Sequence, residues 1–150
     1  MFEIEKSSRV ARRQSGFTLL EIMVVIVIMG LLVAVVAPNV LQNQDRAMVE
    51  KARADISVLE QALDMYKLDN HVYPTTNQGL QALITRPETG NQPKNYRSNG
   101  YIKRLPEDPW GTPYVYIQPG EHGPFDLYST GSDGEEGGEG LARDIVNWQE

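Results

Sequence analysis

A chain of 150 residues with 41% hydrophobic content holds one small domain plus one anchor and leaves no room for a second large catalytic domain. It has no cysteine, which excludes disulfide staples, a thiol nucleophile and a thiolate metal site and leaves the redox compartment open. The formal charge of −6 is uneven: Lys6, Arg9, Arg12 and Arg13 oppose only Glu3 and Glu5 in the first segment, so the rest is more acidic than the whole, which argues against nucleic acid as the main partner.

The first element is an apolar run from Phe17 to Ala37, in which Ile22 to Ala37 is unbroken by any polar side chain. At about 1.5 Å per residue such a helix spans roughly the 30 Å hydrocarbon core of a bilayer. All the early basic residues precede it, and the positive-inside rule then leaves the N-terminus in the cytoplasm and everything after Pro38 outside. A cleaved secretory signal is a competing reading, with Val35-Val36-Ala37 as its small-residue site, but Pro38 directly after the cut opposes it. A buried helix of a soluble protein would need a polar face, which this run lacks. A plain signal anchor fits length and flanks yet gives no reason for Glu21, whose charge costs about 2.5–3.5 kcal/mol at mid-bilayer and less near the interface. Either Glu21 has a partner or it sits at headgroup level in contact with water.

The segment Gly16-Phe17-Thr18-Leu19-Leu20-Glu21 bears on that choice. A short basic leader ending in Gly, then Phe, then an apolar stretch with Glu as its fifth residue, resembles the class III signal of type IV pilins and type II secretion pseudopilins. The resemblance implies cleavage between Gly16 and Phe17 by a membrane prepilin peptidase and methylation of the new Phe17 amine. It divides the chain into a leader at 1–16, a transmembrane and assembly helix at 17–37 and a periplasmic head at 38–150. It also implies that the Glu21 carboxylate pairs with the cationic Phe17 amine of a neighbouring subunit, so that two desolvation costs offset one another.

Pro38 lacks an amide donor and costs a helix interior roughly 3 kcal/mol, so the helix must kink, melt locally or stop there. It then resumes: Met48, Ala52, Ile56, Leu59, Leu63 and Tyr66 recur at steps of three and four, one apolar face of an amphipathic helix. The two segments make one helix of about 50 residues, of which only the second half can pack on a globular head. The first half must bury itself in lipid or in copies of itself, and Gly30 with Ala34 would permit close helix approach.

After Asp69, Pro74 forces extended geometry on Tyr73, and Gln78–Leu83 reads as a short helix. Tyr73, Leu80 and Leu83 are expected in the core. The stretch LDNHVYPTTNQGLQAL at 68–83 resembles the major pseudopilin of type II secretion more than a true pilin. Residues 85–109 form a long loop rich in Pro, Asn and Gly. Asp108-Pro109-Trp110-Gly111 makes a turn, Tyr114–Ile117 a short strand and residues 123–132 a second strand, with Gly120–Gly123 as the hairpin loop. The block LPEDPWGTPY resembles the same family. The expected fold is α+β and pilin-like: a long N-terminal helix, transmembrane in its first half and amphipathic in its second, on a small antiparallel sheet with an acidic C-terminal loop. Trp110 and Trp148 read as core anchors.

The loop places Asp133, Glu135, Glu136, Glu139 and Asp144 among five glycines. Flexible backbone with hard oxygen ligands suits calcium, although such a tract is also the composition of a solvated loop, and the spacing is not that of an EF-hand. Here too the family resemblance adds to the residues: it implies a structural calcium ion held by Asp133, Asp144 and the backbone carbonyl of Thr130.

No phosphate-binding loop, nucleophile elbow, zinc-protease helix or dinucleotide fingerprint is present, and His71 and His122 read as isolated surface histidines. The chain reads as a structural subunit, not an enzyme. The resemblance implies the major subunit of a type II secretion pseudopilus in a Gram-negative inner membrane. Its partners would be copies of itself in a helical filament, the prepilin peptidase, an inner-membrane platform protein, minor pseudopilins and the secretin channel. Two other readings stay open at this point: a type IV pilin or competence pseudopilin, and a signal-anchored periplasmic enzyme or binding module.

Overall fold

The computed structural model describes residues 17–148, apart from the side chains of residues 37–42. The leader, including Gly16, lies outside the described residues. The chain divides between Val40 and Leu41 into two units.

One helix, α1, runs Leu19–Asn70, 52 residues. It runs through Pro38, so the helix does not stop there. Its start is set by Thr18, whose Oγ1 accepts the Glu21 amide at 3.2 Å and satisfies one of the free donors of the first turn. Its end is set by His71, which takes the left-handed conformation, φ 67°, while its amide donates to the Lys67 carbonyl at 2.6 Å.

In the second unit, the face expected from three-and-four spacing is the buried one. Ala52, Ile56, Leu59, Leu63 and Tyr66 are all buried, and Met48 is half-buried at the start of the stripe. They meet Leu80 and Leu83 from a short 3-10 helix, Leu80–Leu83, and Tyr114, Tyr116, Phe125, Leu127 and Ile145 from the sheet region. Burying this much apolar surface at about 25 cal/mol per Å² is what fixes a small sheet to one helix. Tyr73 is half-buried, with its ring edge-on to Phe125 at 4.9 Å between centroids.

The sheet has three antiparallel strands in the order β1-β2-β3: β1 Val115–Ile117, β2 Asp126–Ser129 and β3 Ile145–Val146. Register pairs Val115 with Tyr128, Ile117 with Asp126, and Ser129 with Ile145. The first two strands lie where alternation placed them. The third was not expected, since two residues are too few to display a period.

Two expectations are corrected. The connection between β1 and β2 runs 118–125 rather than only Gly120–Gly123. It is folded around the buried Asp126 carboxylate, which accepts the amides of Glu121 and His122 at 2.9 and 3.1 Å. A side chain at Gly120 would meet that carboxylate and the Phe125 backbone at 2.5 and 2.6 Å, so only glycine fits. Trp148 is not a core anchor: half-buried, it stacks flat on the His122 ring at 4.0 Å. Trp110 does pack against the core.

The long loop after Leu83 is held at the end of α1. Asn70 Nδ2 donates to the Tyr101 hydroxyl, Asn70 Oδ1 accepts the Asn95 amide, and Arg97 Nε meets Asp69 Oδ2 at 2.6 Å. Tyr66, Tyr96 and Tyr101 form an aromatic cluster on the same end.

Candidate functional site

Two regions carry the residues singled out in the sequence. The first is the apolar half of α1. Leu19–Val36 is long and apolar enough to cross a membrane. Every residue from Phe17 to Val36 is exposed, with Phe17 at 78% and Leu19 at 80%. So large an apolar surface on a soluble chain is unstable in water and requires lipid or other protein around it. Nothing lies within 4 Å of the position a Cβ would take at Gly30, leaving that face open to another helix.

Glu21 has a local reason to stand where it does. It lies three residues after the helix cap Thr18, the T-x-x-E spacing of a capping box, in a first turn whose free amides favour negative charge. That spacing was legible in the sequence and was missed. Of the other residues in this region, Gly16 lies outside the described residues and the Pro38 side chain is not described.

The second region is the loop from Thr130 to Asp144. It is stitched to itself: Ser132 N donates to Leu141 O, Asp144 N to Gly137 O, and Gly137 N to Asp144 Oδ2 at 2.9 Å. At Gly131, φ 67°, a Cβ would come within 2.9 Å of the Ala142 and Arg143 carbonyls, so the Thr130–Gly131 backbone is seated directly on that segment. Thr130 and Asp144 thus belong to one stitched layer. Asp133 is exposed and its Oδ1 accepts the Glu135 amide at 3.1 Å, an Asx-type turn. Among the described residues, no three histidine, cysteine or carboxylate side chains gather closely enough to hold a metal by side chains alone.

The donor set nonetheless suits a hard cation. Asp144 Oδ1 and Thr130 Oγ1 are buried oxygens with no hydrogen-bond partner. A buried oxygen left unpaired costs about 1–3 kcal/mol, and an ion bound by carboxylate and backbone oxygens removes the cost for a carboxylate. Glu136 is exposed, and its Oε1 accepts the Tyr128 hydroxyl at 2.6 Å. Burial, then this bond, push the Tyr128 phenol up to about 12.

Sequence reasoning missed the buried polar groups that shape this loop. Asp108 Oδ1 accepts the amides of Trp110 and Thr112 at 3.1 and 2.7 Å, and its Oδ2 accepts the Ser129 hydroxyl at 2.6 Å. The Asp-Pro-x-Gly turn signalled the first two bonds; nothing local signalled the third, which joins residues 21 apart.

Comparison with known proteins agrees with the geometry. Residues 39–148 match the family model described as Type II secretion system (T2SS), protein G, and residues 11–37 match the Prokaryotic N-terminal methylation motif. The type II secretion system core protein G of Vibrio cholerae is 60% identical over 137 residues, covering 91% of this chain and 93% of that protein. Those of Pseudomonas aeruginosa and Escherichia coli K12 are each 58% identical, covering 91% and 93% of this chain and 96% and 94% of their own lengths. The crystal structure of the major pseudopilin from the type 2 secretion system of enterohaemorrhagic Escherichia coli superposes with a TM-score of 0.66 at 48% identity, covering 74% of this chain and 95% of that one. These relatives favour the secretion reading over the pilin and periplasmic-enzyme alternatives. A pilin-like α+β head, an exposed apolar helix and relatives along nearly its whole length show that this chain belongs to the type II secretion system protein G family, the major pseudopilins, which are structural subunits and not enzymes.

Proposed function

We propose that the chain is made as a precursor, cut between Gly16 and Phe17 by the prepilin peptidase, methylated at the Phe17 amine, and held in the inner membrane by α1 with its head in the periplasm. Subunits then leave the bilayer for a helical filament with apolar helices at the centre and acidic heads outside. Growth of that filament, driven by a cytoplasmic ATPase acting through the platform protein and begun with minor pseudopilins, pushes folded periplasmic proteins toward the secretin. The observation that carries this reading is that every residue from Phe17 to Val36 is exposed, a surface that lipid covers before assembly and other subunits cover after it.

Glu21 is the register pin in this scheme. A cationic amine at Phe17 stands at the positive end of the helix dipole, where it is disfavoured, and the Glu21 carboxylate of a neighbour offsets it. In the head, a structural calcium ion is held by Asp144 and Asp133 and by the carbonyl of Thr130. It neutralises acids in the 133–144 loop and ties the loop to the sheet end. The orphaned Asp144 Oδ1 and the seat of Gly131 on Ala142–Arg143 support this assignment.

The test is electron microscopy of material sheared from cells that express the chain together with its secretion system. Filaments present with the natural sequence and absent with Glu21→Ala support the reading. Monomeric, membrane-retained protein in both cases overturns it.

A further inference from the structure

Ser129 is the last residue of β2, is fully buried, and bridges two other groups. Its hydroxyl donates to Asp108 Oδ2 at 2.6 Å, and the same oxygen accepts the Gly131 amide at 3.2 Å. Asp108 is itself buried and fixed by two amides of its own turn, so it cannot follow a moving serine. The Gly131 N–H and the Thr130 C=O belong to one planar trans peptide, in which the two point opposite ways. Whatever fixes the amide therefore fixes the carbonyl.

We infer that Ser129, locked by Asp108, is a positioning residue for the cation site: by holding the Gly131 amide it aims the Thr130 carbonyl outward as a preformed ligand. The inference rests on the calcium reading given above. Without the hydroxyl, the Thr130–Gly131 peptide is free to rotate, and the ion must order it on binding. Outer partners that orient a metal's ligands are typically worth roughly 10-fold or more in metal affinity. The second constraint on this segment is the close approach of Gly131 to Ala142 and Arg143, whose carbonyls would lie 2.9 Å from a Cβ there.

The test uses the full chain in detergent micelles with calcium chloride as the only added ligand. Calcium affinity is measured by titration calorimetry, and the thermal midpoint is measured in calcium and in chelator. Ser129→Ala is expected to weaken calcium binding roughly 10-fold or more and to shrink the rise in midpoint that calcium gives. Asp108→Asn keeps an oxygen for the two turn amides but removes the acceptor of the Ser129 proton. It is expected to produce a smaller loss of the same kind, and it carries the test if Ser129→Ala does not fold. A purely structural role would lower both midpoints equally and leave affinity unchanged, and that result overturns the inference. If the natural sequence itself shows no calcium-dependent rise, the calcium reading fails and the inference falls with it.

Discussion

Asn147 Nδ2 donates to Glu60 Oε1 at 3.0 Å, while Asn147 Oδ1 accepts the Leu127 amide at 2.8 Å and Asn147 N donates to the Leu127 carbonyl. One side chain near the C-terminus thus joins α1 to the central strand across 87 residues of sequence. Asn147→Ala leaves a part-buried amide and carboxylate unpaired, which costs about 1–3 kcal/mol. Chemical denaturation of the full chain should show that loss, with the unfolding midpoint moved down and the slope retained. An unchanged midpoint would mean that the backbone pairing of β3 and the burial of Ile145 hold it without the Asn147 side chain.

Acid should loosen the β1–β2 connection. Burial pushes the Asp126 carboxyl up, but hydrogen bonds from His122 Nδ1 and from the amides of Glu121 and His122 outweigh it and leave it below its ordinary 3.8. A carboxyl depressed in the folded state contributes stability above its unfolded value and loses it as pH falls through the folded one. Stability should therefore fall below about pH 4, and Asp126→Asn should flatten that part of the profile while costing stability at neutral pH. Unfolding midpoints measured between neutral pH and about pH 3 check this; an Asp126→Asn profile parallel to the parent's would contradict it.

Leu59 and Leu63 are fully buried between α1 and the sheet. Replacing either by Ala should cost about 2–5 kcal/mol through lost burial and the cavity left behind. Val58, one residue away but exposed, should tolerate the same change within about 0.5 kcal/mol. Thermal unfolding of the three variants side by side measures the contrast, and similar costs at all three positions would show that the buried face has been misassigned.

Glu21→Ala should leave the protein in the membrane and α1 intact, since a first-turn acid is worth only about 0.3–1 kcal/mol to a helix. Filament yield should drop far more than that figure allows. Membrane fractionation with filament counts separates the two: normal insertion with few filaments is expected, and normal insertion with undiminished filaments would assign Glu21 to the capping box alone.

Most of the fold was legible because it rests on period. Ala52 to Tyr66 advertise one helical face, and Tyr114–Ile117 with the residues after Gly123 advertise strands. β3 was not legible, because Ile145–Val146 gains strand geometry only by pairing with Tyr128 and Ser129. The polar framework was hidden for a related reason. Asp108 reads as a turn residue and Asp126 and Ser129 as polar positions of a strand, and only the tertiary structure reveals that each is buried and satisfied by partners distant in sequence or by loop amides. Trp148 was misread because bulk alone does not say whether a ring faces the core or a histidine. Of the two candidate regions, the helix was plain from length and apolarity, whereas the loop's composition could not separate Asp144, with a buried oxygen, from Asp133, which lies in the open.

The most direct test of the account is the intact mass of the protein purified from its native membrane. The account expects the mass of residues 17–150 plus one methyl group, which marks a processed subunit with a free, modified Phe17 amine. A mass corresponding to a chain that begins at Met1, or to one that begins at Pro38, would contradict it.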